Sequence, residues 1–220
     1  MDIEYSRPAD IEKRSMELIS REMKTVPPKY HAPVIRRVIH TTADFEYEQT
    51  LVFSGNAVMS PLTALRAARS SAESDILSSV TIVTDTNMAL SGINKGALSR
   101  LNCRAVCYMA DPAVAEDAER RGVTRAAVSM EKAAELKGPL IFAIGNAPTA
   151  LLRLKELIDA DAVRPELVVG VPVGFVNVVE SKELIMESDV PYIVARGRKG
   201  GSTVAAAICN ALLYMAEEDM

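Results

Sequence analysis

The chain has 220 residues, of which 49% are hydrophobic and 25% are charged, and its formal net charge is −4 at pH 7. This composition is typical of a globular domain, while the acidic balance argues against a nucleic-acid or anionic-membrane partner. Because the acidic first residues lack a secretory signal and no apolar run is long enough to span a bilayer, we expect a cytoplasmic protein.

The first predicted helix covers residues 8 to 23, with Ser6 as its cap. Its predicted buried face carries Ile11, Leu18, Ile19 and Met23. Ser15 belongs to the same face. Its hydroxyl can bond back to its own helix or point at a ligand, and the residues alone leave both readings open.

His40 is one of only two histidines in the chain and follows a second predicted helix. That helix is indicated by Pro33, which suits a first turn, and by apolar residues that repeat at i, i+4. His40 then lies in the last turn, where the partial negative charge of the helix end favours imidazolium. Such a cation could pass a proton to a ligand, or it could only cap carbonyl groups. The segment from Phe45 to Ser54 is mixed, and either a strand or an irregular conformation fits it.

Five short apolar runs follow a helix predicted over residues 56 to 72. The runs are Val80–Asp85, Arg104–Met109, Leu140–Gly145, Leu167–Gly170 and Tyr192–Ala195. They lack polar alternation, as strands buried on both faces do. The helices predicted around and between them are Pro112–Arg121, Arg125–Lys137, Pro148–Asp159, Phe175–Ser188 and Thr203–Ala216. This alternation predicts a single α/β domain over residues 1–220, with a five-stranded, mainly parallel sheet and helices on both faces.

Ligands of parallel sheets bind beyond the carboxyl ends of the strands, and several loops there are rich in glycine. The loop from Arg196 to Ser202 also contains Arg198 and Lys199, which makes it the best predicted anion site. Neither G-x-x-x-x-G-K-[ST] nor G-x-G-x-x-G occurs in the chain. A ligand with several carboxylates therefore fits as well as a phosphate does, because arginine binds both groups.

A further anion site is indicated at Thr124 and Arg125. Thr124 is placed as a helix cap, so Arg125 would lie at a helix N-terminus, where a cation is unfavourable. An anion shared between Arg125 and the helix amides would explain this placement. A solvated surface arginine remains the alternative.

Taken together, these motifs resemble the precorrin-8X methylmutase family of corrin (vitamin B12) biosynthesis, which includes the cobalt-precorrin-8 methylmutases. The most specific strings are Gly-Asn-Ala-Pro-Thr-Ala-Leu from Gly145 and Pro-Val-Gly-Phe-Val with Glu-Ser-Lys between Pro172 and Lys182. One departure is Ala43, where many members carry glycine. The other matching segments are Ile11–Ser15, Ile39–Thr41, Asp85–Met88, Thr124–Arg125 and Arg196–Ser202.

The resemblance implies a three-layer flavodoxin-like fold, a homodimer with active sites near the interface, and no cofactor or protein-bound metal, any cobalt being carried by the substrate. It implies transfer of a methyl group from C11 to C12 of a tetrapyrrole, with His40 as the catalytic acid. The candidate substrate-binding residues in the matching segments are Arg14, Ser15, Thr86, Met88, Thr124, Arg125, Asn146, Thr149, Arg198, Lys199, Gly200, Gly201 and Ser202.

The same residues also fit two other functions. One is a non-catalytic binder of an acidic tetrapyrrole, which would form a complex without converting the ring. The other is a nucleotide- or phosphate-dependent α/β enzyme that uses the loop from Arg198 to Ser202. Conversion of precorrin-8X or cobalt-precorrin-8 to hydrogenobyrinate or cobyrinate, with a change in the visible spectrum, would identify the isomerase. A tight complex without that change would identify the binder. Protection from thermal unfolding by ATP or NAD, but not by corrinoids, would favour the nucleotide- or phosphate-dependent enzyme.

Overall fold

The computed structural model of the protein describes residues 7–71 and 77–218. Within these ranges, six strands form one sheet. They are β1 (Leu51–Phe53), β2 (Thr81–Thr84), β3 (Arg104–Val106), β4 (Leu140–Ile144), β5 (Leu167–Gly170) and β6 (Tyr192–Ala195). Helices separate the strands. They are α1 (Pro8–Glu22), α2 (Ala32–Thr42), α3 (Tyr47–Thr50), α4 (Met59–Ser70), α5 (Asn87–Gly92), α6 (Lys95–Arg100), α7 (Pro112–Arg121), α8 (Arg125–Ala134), α9 (Pro148–Asp159), α10 (Val178–Met186) and α11 (Ser202–Glu217).

The strand order is β1-β6-β5-β4-β2-β3. The five strands from β2 to β6 are all parallel, and taken alone they have the 2-1-3-4-5 order of flavodoxin-like folds. β1 adds a sixth strand that the sequence did not resolve, and it pairs antiparallel with the edge strand β6. A three-residue strand is too short to show a periodicity in the sequence. β1 is a strand because its backbone forms hydrogen bonds with the edge of β6.

Helices cover both faces of the sheet, so the predicted three layers are confirmed. Ile141 and Ala143 of β4 point into a core formed with α2, α4, α5, α6 and α11. Leu140, Phe142 and Ile144 of the same strand point into a second core formed with α8, α9 and α10. The two sets alternate along β4 because successive side chains of a strand face opposite sides of the sheet.

Most predicted helices occur with small changes at their ends. α7 and α9 have the predicted bounds, and α8 and α10 are shorter than predicted. α10 begins only at Val178 because Asn177 adopts a left-handed conformation. α4 begins at Met59, while residue 72, at its predicted end, lies outside the described residues. The short helices α5 and α6 were not predicted, because six residues carry too little periodic signal.

The predicted buried face of α1 is only half correct. Ile19 and Met23 pack against the core, but Ile11 is 53% exposed and Leu18 is 40% exposed. The prediction was wrong for these two residues because α1 lies outside the layers and packs on α2 rather than on the sheet. Arg7 occupies the cap position of α1, and the proposed cap Ser6 lies outside the described residues.

Candidate active site

Four parallel strands end at the same edge of the sheet, where the loops after β2, β4, β5 and β6 meet. The strand order reverses between β2 and β4, because β3 lies on one side of β2 and the later strands lie on the other. Such a switch point opens a crevice at the carboxyl ends of the strands, which is where open α/β sheets bind ligands. The candidate site is therefore built from these loops.

Asp85, directly after β2, connects the loop after β2 to the loop after β4. It is buried, and its carboxylate accepts hydrogen bonds from the amides of Gly145 (2.9 Å), Asn146 (2.8 Å) and Ala147 (2.6 Å). Burial raises the pKa of Asp85, and the three amide donors oppose that shift. These amides would otherwise be available to a ligand anion, so an internal carboxylate already occupies this part of the switch point.

The loop after β6 fits tightly against its neighbours. The hydroxyls of Thr86 and Ser202 lie 2.8 Å apart, and the amide of Gly201 donates to the carbonyl of Val171 at 2.8 Å. A Cβ atom at Gly200 would lie 2.1 Å from the Val171 oxygen, and φ at that residue is +156°. Only glycine allows this approach of two backbones.

Arg198 lies on the exposed side of this loop. Its guanidinium lies over the ring of Phe175 at 5.3 Å from the ring centroid, and its carbonyl accepts from the amide of Gly174 at 3.2 Å. Phe175 is 81% exposed, and Val176 and Met88 are exposed as well. Apolar side chains and a cation therefore border the same loop.

Lys199 joins the loop to the end of α2. Its Nζ donates to Asp44 at 2.6 Å and also to Glu46, and these two carboxylates raise the pKa of Lys199. Its charge is thus shared with the protein, which leaves less of it for a ligand than the sequence suggested. The contact brings the segment after His40 against the Arg198 loop.

His40 lies in the last turn of α2, as predicted, and its side chain is exposed. The helix ends at Ala43, which adopts a left-handed conformation with φ 54° and ψ 25° and donates its amide to Ile39 at 2.7 Å. Asp44 follows directly and receives Lys199. The ion pairs of Lys199 with Asp44 and Glu46 therefore join the segment that follows His40 to the predicted anion loop.

The two candidates on α1 differ from the rest. The Ser15 hydroxyl donates to the carbonyl of Ile11 at 2.9 Å, which is the first of the two readings allowed by the sequence. Arg14 is exposed on the same helix. α1 packs on α2, where Arg36 of α2 donates to Ser20 of α1 at 3.2 Å and Arg37 of α2 pairs with Glu12 of α1.

Thr124, Arg125 and Thr149 form a second group beside the β4 loop. Thr124 caps α8, as predicted, by accepting from the amide of Ala127, and its hydroxyl also donates to Thr149 at 2.9 Å. Both threonines line a cavity of about 310 Å³ between α8 and α9. Arg125 is exposed at the first position of α8, and the Asn146 side chain is exposed in the β4 loop.

Sequence reasoning missed two buried groups that shape the site, Asp85 and Lys182. Both are fully buried. Both lay inside motifs that the sequence analysis used, Asp85 directly after an apolar strand and Lys182 at the end of Glu-Ser-Lys. For Asp85 the available signal was a carboxylate directly after an apolar strand. Lys182 lies between Glu180 and Glu183, so the sequence contains no comparable signal for its burial.

Comparison with known proteins agrees with this architecture. The sequence pattern of the precorrin-8X methylmutase family matches residues 10–215. The chain is 46% identical to a cobalt-precorrin-8 methylmutase from Salmonella typhimurium, over 96% of this chain and 97% of that protein. It is 38% identical to a precorrin-8X methylmutase from Pseudomonas aeruginosa, over 80% of each chain.

The fold of a solved structure is also similar. A precorrin-8X methylmutase from Thermus thermophilus superposes with a TM-score of 0.83 at 38% identity, covering 94% of this chain and 98% of that one. Fold and similarity together define an enzyme, an intramolecular methyl-transferring isomerase. The chain belongs to the precorrin-8X methylmutase family of corrin biosynthesis.

The described residues offer neither a metal centre nor a membrane-spanning helix. They contain no group of three or more His, Cys, Asp or Glu placed to hold a metal ion. None of the helices in residues 7–71 and 77–218 is long and apolar enough to cross a membrane.

Proposed function

We propose that the chain moves a methyl group from C11 to C12 of precorrin-8X or cobalt-precorrin-8, giving hydrogenobyrinate or cobyrinate, with His40 as the proton donor. The observation that carries this proposal is the position of His40. It is an exposed imidazole in the last turn of α2, and the residues after it are joined by Lys199 to the loop that presents Arg198. A proton donor and an anion-binding loop thus border one surface.

The surface around the Arg198 loop suits a flat, largely apolar ring with carboxylates at its rim. Phe175, Val176 and Met88 expose apolar side chains there, and the Arg198 guanidinium lies over the Phe175 ring. An aromatic face can pack on the ring while arginine binds a carboxylate in a bidentate manner. Arg125 and Arg14 are proposed to meet carboxylates farther from His40, with Thr124, Thr149 and Asn146 as polar neighbours.

The chemistry requires little from the protein besides positioning and a proton. The migration breaks one carbon–carbon bond and forms another within the same molecule, so it changes neither the composition nor the oxidation state of the substrate. Protonation of the ring system by His40 would ease the shift, and the proton would return after it. We therefore propose that the protein uses no cofactor and that any cobalt is carried by the substrate.

The proposal includes a cytoplasmic homodimer whose active sites lie near the subunit interface. Its support is the apolar surface that this chain leaves exposed. Ile11 and Leu18 on α1, together with Val176 near the Arg198 loop, are large apolar side chains in contact with solvent. A second copy that covered part of this surface would remove it from water.

The two histidines of the chain provide a matched test. His31 lies at the opposite end of α2, where it stacks on Phe53 with 4.0 Å between ring centroids. His40→Ala should lower kcat for both forms of the substrate by about 10²–10⁴-fold, because it removes one positioned acid. His31→Ala should keep kcat close to that of the wild type.

Turnover is followed by visible spectroscopy, and binding of the product ring is measured separately. Because His40 is exposed, its removal should leave the melting temperature and the product Kd nearly unchanged. Undiminished turnover by His40→Ala would disprove the acid role. A wild-type protein that binds both rings and converts neither would instead be a tetrapyrrole binder.

A further inference from the structure

Lys182 of α10 is a buried lysine with an unusual set of partners. Its side chain is fully buried, and its Nζ donates to the carbonyls of Gly197 at 2.7 Å and Lys199 at 2.8 Å. In the part of the chain that the structure describes, no carboxylate lies within ion-pair distance of it. Burial lowers the pKa of Lys182 to about 8. A buried ammonium that is hydrogen-bonded but has no carboxylate partner is unfavourable for stability, which points to a role outside folding.

The two carbonyls belong to the Arg198 loop, and their direction fixes that of the neighbouring amides. In a trans peptide the C=O and N–H bonds point in opposite directions. The N–H groups of Arg198 and Gly200 therefore point away from Lys182. Neither amide has a hydrogen-bond acceptor among the described residues.

Three glycines give this loop a backbone that is flexible in the unfolded chain. φ is +81° at Gly197, +156° at Gly200 and +131° at Gly201, which are conformations that glycine adopts readily and other residues rarely do. A flexible loop of this kind loses conformational entropy when it is ordered. Two hydrogen bonds from one buried ammonium fix the peptides on either side of Arg198 and Lys199, in addition to the contacts that Gly201 and Ser202 make with Val171 and Thr86.

We infer that Lys182 is a positioning residue that turns the amides of Arg198 and Gly200, together with the Arg198 guanidinium, toward one carboxylate of the substrate. The inference rests on the proposed function, because it takes the ligand to be a polycarboxylate ring. Two outward amides and a guanidinium form an anion-binding concavity of known type. The buried positive charge behind the loop adds to its attraction for an anion.

The first test needs no ligand. Hydrogen–deuterium exchange of the unliganded protein is compared between wild type and Lys182→Met, which keeps an unbranched apolar side chain but cannot donate. In the peptide that contains residues 196–202, we expect the hydrogen-bonded amides of Arg196 and Gly201 to exchange at least about tenfold faster in the variant, since the loop loses two charge-assisted hydrogen bonds. The peptide around residues 143–149, held by Asp85, should not change.

The matched control is Lys155→Met. Lys155 pairs with Asp159 of the same helix, α9, at 2.6 Å and makes no hydrogen bond to the described residues of either loop, so its loss should leave both peptides unchanged. Lys182→Gln is the second variant, and its amide group keeps a donor for the loop. If Lys182→Met does not fold, the exchange of residues 196–202 is measured in Lys182→Gln instead. Exchange faster than in the wild type there would support the inference, and unchanged exchange would contradict it.

The second test separates positioning from chemistry. Lys182→Met should raise KM and the Kd for the product cobyrinate by about tenfold or more while kcat changes little, and Lys182→Gln should recover part of the loss. Arg198→Met should weaken binding similarly. The double variant should lose less than the sum of the two single changes, because both act on one contact.

The results that would overturn the inference are distinct from failure of the proposed function. Unchanged exchange at residues 196–202, or equal acceleration across all peptides, would show that Lys182 does not act on this loop. Additive effects with Arg198→Met would lead to the same conclusion. Failure of the wild type to bind cobyrinate would refute the proposed function, while the exchange measurement would still decide the action of Lys182 on the loop.

Discussion

Replacing Asp85 by asparagine tests whether one buried carboxylate holds the loop after β4 in place. In the wild type, Oδ1 accepts from Gly145, while Oδ2 accepts from Asn146 and Ala147. Asparagine has nearly the same shape but only one acceptor oxygen. If its oxygen replaces Oδ2, its NH₂ group faces the Gly145 amide, and two donors oppose each other in a site closed to water.

The size of the effect follows from these three bonds. One buried amide loses its acceptor, which costs about 1–3 kcal/mol, and the two remaining bonds lose the contribution of a charged acceptor, on the order of 1 kcal/mol each. Part of this loss of stability is offset, because the neutral asparagine side chain avoids the cost of burying a charged carboxylate. The raised pKa of Asp85 indicates that cost. The free energy of unfolding should therefore fall by about 2–3 kcal/mol.

Urea denaturation measures this change, and the melting temperature should fall by about 4–12 °C for a chain of this size. The control is Asp189→Asn, because Asp189 is 97% exposed and only pairs with Arg164 at the surface. That variant should stay within about 0.5 kcal/mol of wild type. If the free energy of unfolding of Asp85→Asn also stayed within about 0.5 kcal/mol of wild type, the carboxylate would not be what holds the loop.

Two backbone predictions follow from the site. Ala43→Gly should increase the free energy of unfolding by about 0.5–1 kcal/mol, because glycine removes the strain of the left-handed conformation that ends α2, and a lower midpoint in urea would contradict this. Gly200→Ala should destabilise the protein by about 2 kcal/mol or more, because its Cβ would meet the Val171 oxygen at 2.1 Å. Gly55→Ala is its control in the same melting assay, since nothing lies within 4 Å of that position, and equal stability of the two variants would contradict the reasoning.

Much of the site could be predicted because it depends on local patterns. Short apolar runs followed by Gly145, Gly170 and Gly197 identified strands that end in loops, and parallel strands bring such loops to one edge. The i, i+4 repeat before His40 placed that residue in the last turn of α2. β1 lacked a comparable signal, since its pairing depends on an edge strand far along the chain.

The amino-acid sequence by itself determined whether most segments are helices or strands, because helical and extended periodicities are properties of neighbouring residues. Only the tertiary structure decided the partners of the charged residues. Asp85 meets amides some sixty positions away, and Lys199 meets Asp44 across most of the chain. Such pairings depend on how the layers of the fold pack, and they produce no periodic pattern in the sequence. Lys199, which the sequence suggested as a ligand contact, therefore turns out to join two parts of the protein.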